Sequence, residues 1–243
     1  MKKRTKIILS VCLTVLLIIG ACGYAYVSDY CRADETALTA MSSQLADQVQ
    51  VEQDGNVIWF VPEKTTAGLI FYPGGKVEHT AYAPLLRACA KERILCALVQ
   101  MPGNLAVLDV NAADGLQQKH PEVTTWYIAG HSLGGAMAAD YAAAHWPDYD
   151  GLILLAAYST KDLTQTPLRV LSVYGSEDGV MNRESYTKNW ENLPINTTEV
   201  ILDGGCHAQF GSYGPQNGDG IPTISGEEQI RQTVEAVTAF IVR

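Results

Sequence analysis

The tightest constraint on this chain is the stretch Tyr127-Ile128-Ala129-Gly130-His131-Ser132-Leu133-Gly134-Gly135-Ala136-Met137-Ala138-Ala139. An apolar, strand-favouring run ends at Ala129, meets Gly-x-Ser-x-Gly, and passes at once into a small-residue run suited to a helix. A serine in that setting sits at a sharp strand-to-helix elbow, which presents its hydroxyl as a nucleophile above a sheet. The turn leaves no room for side chains beside the serine, hence Gly130 and Gly134, while Gly135 and Ala136 let the helix pack close to the sheet. Ser132 would then stand at a helix N-terminus, where partial positive charge favours a developing oxyanion. The bare motif also occurs as a plain glycine turn, but here the strand before it and the helix after it are both present.

Around the elbow, short apolar runs alternate with helical patterns. Gln50 to Glu52 and Asn56 to Val61, separated by Gln53-Asp54-Gly55, carry a hairpin signal. Buried-strand patterns follow at Gly68 to Tyr72 (ending in Pro73-Gly74-Gly75), Ile94 to Val99, Thr124 to Ala129, Gly151 to Ala156, Leu168 to Tyr174 and Thr198 to Leu202. Helices are expected over Tyr82 to Arg93, Ala112 to Lys119, from the elbow to about Ala144, Arg183 to Asn192 and Glu227 to Val242. Ala33 to Val49 reads as a leading helix or linker, with Leu38, Met41 and Leu45 at helical spacing. Such alternation predicts a mostly parallel sheet with helices on both faces and the two leading strands as an antiparallel edge.

With 243 residues, 47% of them hydrophobic, the chain suits one sizeable domain. The first residues differ: Lys2, Lys3, Arg4 and Lys6 precede an almost unbroken apolar run from Ile7 to about Val27. That run is long enough to cross a bilayer as one helix, and its length favours an uncleaved signal anchor over a signal peptide. The sequence is thus divided into residues 1–28 as anchor or signal peptide, 29–49 as linker or leading helix, and 50–243 as the folded domain. Ile19-Gly20-Ala21-Cys22 resembles the lipobox of bacterial lipoproteins, with isoleucine where leucine is usual, so lipidation at Cys22 and simple secretion stay open. All three readings export the domain, because the basic cluster stays inside; the first gives a single-pass cell-membrane protein with the domain extracytoplasmic. Without those four cations, 13 basic side chains face 26 acidic ones, so nucleic acid and anionic lipid surfaces are excluded as partners of the domain, and any membrane attachment comes from the N-terminal segment. Cys31, Cys89, Cys96 and Cys206 match no zinc spacing and are expected as buried free thiols, and Cys12 and Cys22 as apolar helix residues where no lipid is attached.

The element order, the Gly130-His131-Ser132-Leu133-Gly134 elbow and a later acid and histidine resemble the α/β-hydrolase superfamily from about Val51 to the carboxyl end. Within it the chain is similar to small bacterial hydrolases of dienelactone-hydrolase or carboxylesterase type, and Gly204-Gly205-Cys206-His207-Ala208-Gln209-Phe210-Gly211 looks like the signature of one such subgroup. The resemblance implies a Ser, Asp or Glu, His order, each at the carboxyl end of a strand. Asp178 follows the strand ending at Tyr174 and is the expected acid, with Glu177 and then Asp203 as alternatives. His207 follows the last strand and is the expected base. His131 is expected to shape the turn, and His79, His120 and His145 fit capping or solvated positions. The resemblance also implies two backbone oxyanion donors, Leu133 and, in the loop after Tyr72, Gly75, with Lys76 as the alternative; Pro73-Gly74-Gly75 stands where many relatives have His-Gly-x.

These expectations combine into a Ser132-His207-Asp178 serine hydrolase that cleaves small carboxylic esters through an acyl-enzyme, with neither metal nor organic cofactor required. A serine peptidase or transacylase would use the same triad, and a non-catalytic surface binding module would predict a decayed one. The short connection between Ala156 and Leu168 leaves no room for a large cap, so the site is expected to be open. The glycine-rich stretch from Gly211 to Gly220 is expected as a mobile wall of the cleft or a solvated loop.

Overall fold

Apolar runs too short for helices, and flanked by turn residues, form eight strands: β1 (Gln50–Asp54), β2 (Val57–Val61), β3 (Ala67–Tyr72), β4 (Ile94–Val99), β5 (Trp126–His131), β6 (Gly151–Leu155), β7 (Arg169–Gly175) and β8 (Thr198–Leu202). The computed structural model describes residues 3–42 and 47–242. The strands make one sheet in the order β1-β2-β4-β3-β5-β6-β7-β8. Only the β1–β2 and β2–β4 pairings are antiparallel; β4–β3, β3–β5, β5–β6, β6–β7 and β7–β8 are parallel. This is the α/β-hydrolase fold, with the hairpin at its antiparallel edge.

Every residue of β3, β4, β5 and β6 is buried, as parallel strands covered on both faces require. The pleat divides them between two cores. Leu69, Phe71, Cys96, Leu98, Tyr127 and Ala129 face α3 (Ala83–Lys91) and α6 (Gly226–Val242). Ile70, Tyr72, Leu95, Ala97 and Ile128 face α4 (Leu133–His145), which presents Ala138, Ala139 and Ala142. A truncation such as Ile70→Ala removes a fully buried side chain and should cost about 3 kcal/mol.

The chain divides into two units, Met1–Tyr30 and Cys31–Arg243. The first carries α1 (Lys3–Ser28), whose Leu9–Ser28 portion is long and apolar enough to cross a membrane by length and composition. In the second, α2 (Glu35–Ala40) is capped by Asp34, whose side chain accepts from the Ala37 N–H. The expected leading helix is therefore short. Its buried face is Ala37 and Ala40, while Leu38 is exposed, and Leu45 lies outside the described residues. Cys31 bridges to Val77, so the ordered domain begins upstream of β1.

One expected helix does not form. Residues 112–119 are turns ending in a short 3-10 segment, Gln117–Lys119. Gly115 lies at φ 76°, and the Val110 carbonyl and Ala113 N–H are both bonded to the Tyr72 hydroxyl, at 2.8 and 2.9 Å, instead of to a helical ladder. Two other helices end in tighter turns: His79–Tyr82 precedes α3, and Trp190–Asn192 follows α5 (Arg183–Asn189). Cys31, Cys89, Cys96 and Cys206 are free thiols, the last three buried, and Cys12 and Cys22 are exposed on α1. Residues 156–168, between β6 and β7, hold no helix or strand, so no cap domain is inserted there.

Candidate active site

Between the last residue of β5 and the first of α4, Ser132 stands alone with φ 52° and ψ −122°. A non-glycine residue there stores about 1–3 kcal/mol of strain and persists only where its surroundings over-determine it. Here the Ser132 N–H donates to the Leu155 carbonyl at 2.9 Å, and its carbonyl accepts from the Ala136 N–H at 3.0 Å. A Cβ on Gly130 would lie 2.5 Å from the Gly134 carbonyl, and one on Gly134 would collide with the carbonyl oxygens of Tyr72 and Pro73. The flanking glycines are thus required by close approach.

The loop after β3 passes beside the elbow, for a Cβ on Gly75 would lie 2.8 Å from Leu133 Cδ2. Its neighbours' N–H groups are already taken. Gly74 donates to Tyr82 Oη at 3.0 Å, and Lys76 donates to the Asn104 carbonyl at 2.8 Å. Lys76 is therefore excluded as the alternative donor, whereas the N–H groups of Gly75 and of Leu133, at the first turn of α4, have no acceptor among the described residues.

Past the ends of β7 and β8, two loops bring Asp178 and His207 together. Asp178 Oδ2 lies 2.9 Å from His207 Nδ1, and the two side chains are 0% and 1% exposed. The other oxygen, Oδ1, accepts the N–H groups of Val180 and Met181 at 2.9 and 2.8 Å, which fixes the carboxylate plane. Glu177 and Asp203 stay exposed. His207 Nε2 is buried without a hydrogen-bond partner among the described residues, so no bond to the half-buried Ser132 is formed in this state.

His131 shapes the turn, as its place in the elbow suggests. Its Nδ1 shares a 2.8 Å hydrogen bond with Tyr82 Oη, which ties the Gly74 loop to the elbow, and its ring centroid lies 4.5 Å from that of His207. Burial, reinforced by His207, pushes the His131 pKa well below the ordinary histidine value, so it stays neutral beside the candidate base. The remaining histidines have ordinary settings: His145 stacks on Tyr141, His120 pairs with exposed Glu122, and His79 is half-buried in the turn before α3.

Sequence reasoning missed two residues. Tyr82 gave no signal beyond an aromatic at the start of a helix. Asp219 lies near the end of the glycine-rich stretch, and its Oδ1 accepts the N–H groups of Gly179, His207 and Gly220 at 3.1, 3.1 and 2.9 Å, while Oδ2 accepts that of Ala208 at 2.8 Å. Burial raises its pKa, but the Ala208, His207 and Gly179 N–H groups outweigh burial and hold the carboxyl below its ordinary value. The end of that stretch is thus fastened to the loops carrying Asp178 and His207, and Gly218-Asp219-Gly220 was its only sequence cue.

Among the described residues no cluster of His, Cys, Asp and Glu could hold a metal ion. An open groove of about 1460 Å³, lined by Pro84, Ala88, Ala208, Ile230 and Val234 among others, includes none of Ser132, Asp178 and His207.

Solved structures share the fold at low identity. TT1662 from Thermus thermophilus superposes with a TM-score of 0.59 at 13% identity, covering 80% of this chain and 99% of its own. The predicted CIB-like hydrolase from Thermoplasma acidophilum gives 0.57 at 16% identity, covering 79% and 98%. Est1E from Butyrivibrio proteoclasticus gives 0.55 at 17% identity, covering 80% and 98%. No curated protein matches the chain in sequence. The model of the Alpha/beta hydrolase family matches residues 68–231, from β3 into α6 and across the whole candidate site, and the chain belongs to that family.

Proposed function

We propose that this protein is a serine hydrolase that cleaves carboxylic esters through an acyl-enzyme. The observation that carries the reading is the buried Asp178–His207 pair, whose Nδ1 is fixed by the acid while Nε2 is left without a partner. In the proposed reaction, Ser132 Oγ attacks the ester carbonyl carbon as Nε2 takes its proton. Asp178 holds the ring and stabilises its charged form. The N–H groups of Leu133 and Gly75 receive the oxyanion, each contributing about 3 kcal/mol to the transition state. Collapse breaks the ester C–O bond, and the imidazolium returns the proton to the departing alcohol. Water then attacks the acyl-Ser132 carbonyl by the same route, releasing the acid and restoring the hydroxyl. Neutral His131 adds no second positive charge beside the imidazolium.

The reading is tested with the full chain in detergent micelles, exposed to a fluorophosphonate and to short-chain aryl esters beside Ser132→Ala and His207→Ala. Labelling and turnover by the parent, with both variants silent, is the expected result. A folded parent that takes no label and turns over no ester overturns it, and labelling without ester turnover redirects the search to peptide or acyl-transfer substrates.

The membrane role of α1 belongs to the same proposal. The basic residues Lys2, Lys3, Arg4 and Lys6 stay in the cytoplasm, the Leu9–Ser28 portion of the helix spans the membrane, and the hydrolase domain lies outside. Full-length protein in the carbonate-washed membrane fraction, digested by protease added to intact cells, is expected. A shortened soluble species overturns the anchor.

A further inference from the structure

We propose that Asp219 is the positioning residue of the site, and that its carboxylate sets the placement of Asp178 and His207 by accepting main-chain N–H groups from both of their loops. The inference rests on the serine-hydrolase reading and adds to it a fourth residue that touches neither the substrate nor the reacting atoms.

The need for such a residue follows from where the sheet stops. The β7–β8 ladder ends with Gly175 opposite Leu202, short of Asp178 and His207. The first residues beyond it are still held by main-chain bonds, from the Ser176 N–H to the Leu202 carbonyl at 2.9 Å and from the Glu177 N–H to the Gly205 carbonyl at 2.8 Å. Further out, Asp219 takes over. It accepts the N–H of Gly179, next to the acid, and the N–H of His207 itself. With the Asp178 Oδ2 to His207 Nδ1 bond, these contacts close a ring through acid, clamp and base. The fourth contact, from Ala208 to Oδ2, fixes the carboxylate's rotation.

The flanking glycines belong to the same device. A Cβ on Gly220 would collide with the Glu177 carbonyl, and one on Gly179 would lie 2.5 Å from the Gly218 carbonyl, so the two loops are pressed backbone to backbone. The four main-chain groups that Asp219 bonds are all donors, and the Cys206 thiol beside it is a further hydrogen-bond partner, which makes its chemistry specific. A carboxylate can accept from all of them, whereas the isosteric asparagine must turn an NH₂ group toward at least one N–H.

The test uses the full chain in detergent micelles, with Asp219→Asn as the isosteric variant and Asp219→Ala as the truncation. Active sites are counted by fluorophosphonate labelling carried to completion, kcat and KM are measured on a short-chain aryl ester, and the low-field proton resonance of His207 Nδ1–H is recorded, assigned by its loss in His207→Gln. Asp219→Asn is expected to lower kcat per labelled site by about 10²-fold with KM little changed, and Asp219→Ala by more, since a small displacement of a catalytic group has that effect. The His207 resonance should shift or vanish in both. A merely structural role would lower the melting temperature and leave kcat per labelled site and the resonance as in the parent; that result overturns the proposal. If the parent itself neither labels nor turns over ester, the hydrolase reading has failed, and the resonance in parent and Asp219→Asn still decides the clamp: an unchanged signal overturns it and a lost signal sustains it.

Discussion

The two halves of the candidate site are bonded in opposite ways. On the acid–base side both oxygens of Asp178 and both of Asp219 accept hydrogen bonds, and three loops are laced together through them. On the nucleophile side the Ser132 backbone sits at φ 52°, and the Gly75 N–H, the Leu133 N–H and His207 Nε2 all lack partners among the described residues. A buried polar group left unpaired costs about 1–3 kcal/mol. His207 Nε2 is such a group; in the proposed reaction it accepts the Ser132 hydroxyl proton, while the ester's carbonyl oxygen accepts from the two N–H groups. In the proposed chemistry one half is the jig and the other the tool.

The strongest way to break that contrast is to disable the tool. Ser132→Ala or His207→Ala should lower ester turnover by roughly 10⁶-fold in steady-state assays. Ser132→Ala should leave the melting temperature in place, since its hydroxyl is not bonded to His207, whereas His207→Ala strips buried Asp178 Oδ2 of its partner and should lower it. Asp178→Asn attacks the join between the halves and should cost on the order of 10⁴ in kcat, since the amide disturbs the imidazole's tautomer. Gly75→Ala brings a methyl against Leu133, and should lower kcat by on the order of 10² with little change in the unfolding midpoint. Tyr82→Phe probes the link between the Gly74 loop and the elbow. By leaving the Gly74 N–H and His131 Nδ1 unpaired, it should cost about 1–3 kcal/mol in urea unfolding.

The smallest effect concerns pH. His131 has a lowered pKa in the folded state, so the unfolded chain binds more protons below the ordinary value of 6.5. Its contribution is complete above that value and is lost as pH falls beneath it. Unfolding free energies measured between pH 7 and 5 should therefore decline, and His131→Gln should flatten the decline; His79, also lowered by burial, shares the same window. A second decline, beginning below the ordinary aspartate value, belongs to Asp47, whose pKa is lowered chiefly by its hydrogen bond with buried Arg87, and to Asp219, which shares the window.

The legible parts of the site were those set by local sequence. Ser132 is announced by its own strand and helix, and Asp178 and His207 each follow a recognisable strand. Asp219 was illegible because its role is defined by three segments that meet only after β7 and β8 pair; nothing within its own loop asks for an acceptor of four N–H groups. The fold was read by the same logic, and failed by it. Residues 112–119 have a helix's composition, yet the Tyr72 hydroxyl, distant in sequence, takes the backbone groups that a helix would use. In the leading segment the apolar spacing pointed to Leu38 and Met41; Met41 does pack against the core, but Leu38 is exposed and packing chose the smaller Ala37 and Ala40.

The strand order carries a last consequence, for the timing of folding. Ser132, Asp178 and His207 hang from β5, β7 and β8, which are linked only by parallel pairing through β6. Parallel strands need long crossover connections, and such non-local contacts form slowly. A nascent or half-refolded chain can hold its first strands and helices while its serine remains as inert as any hydroxyl in water. Under the proposed chemistry, reactivity would arrive only with the final strand, and a covalent probe of Ser132 would double as a clock for the completion of the fold.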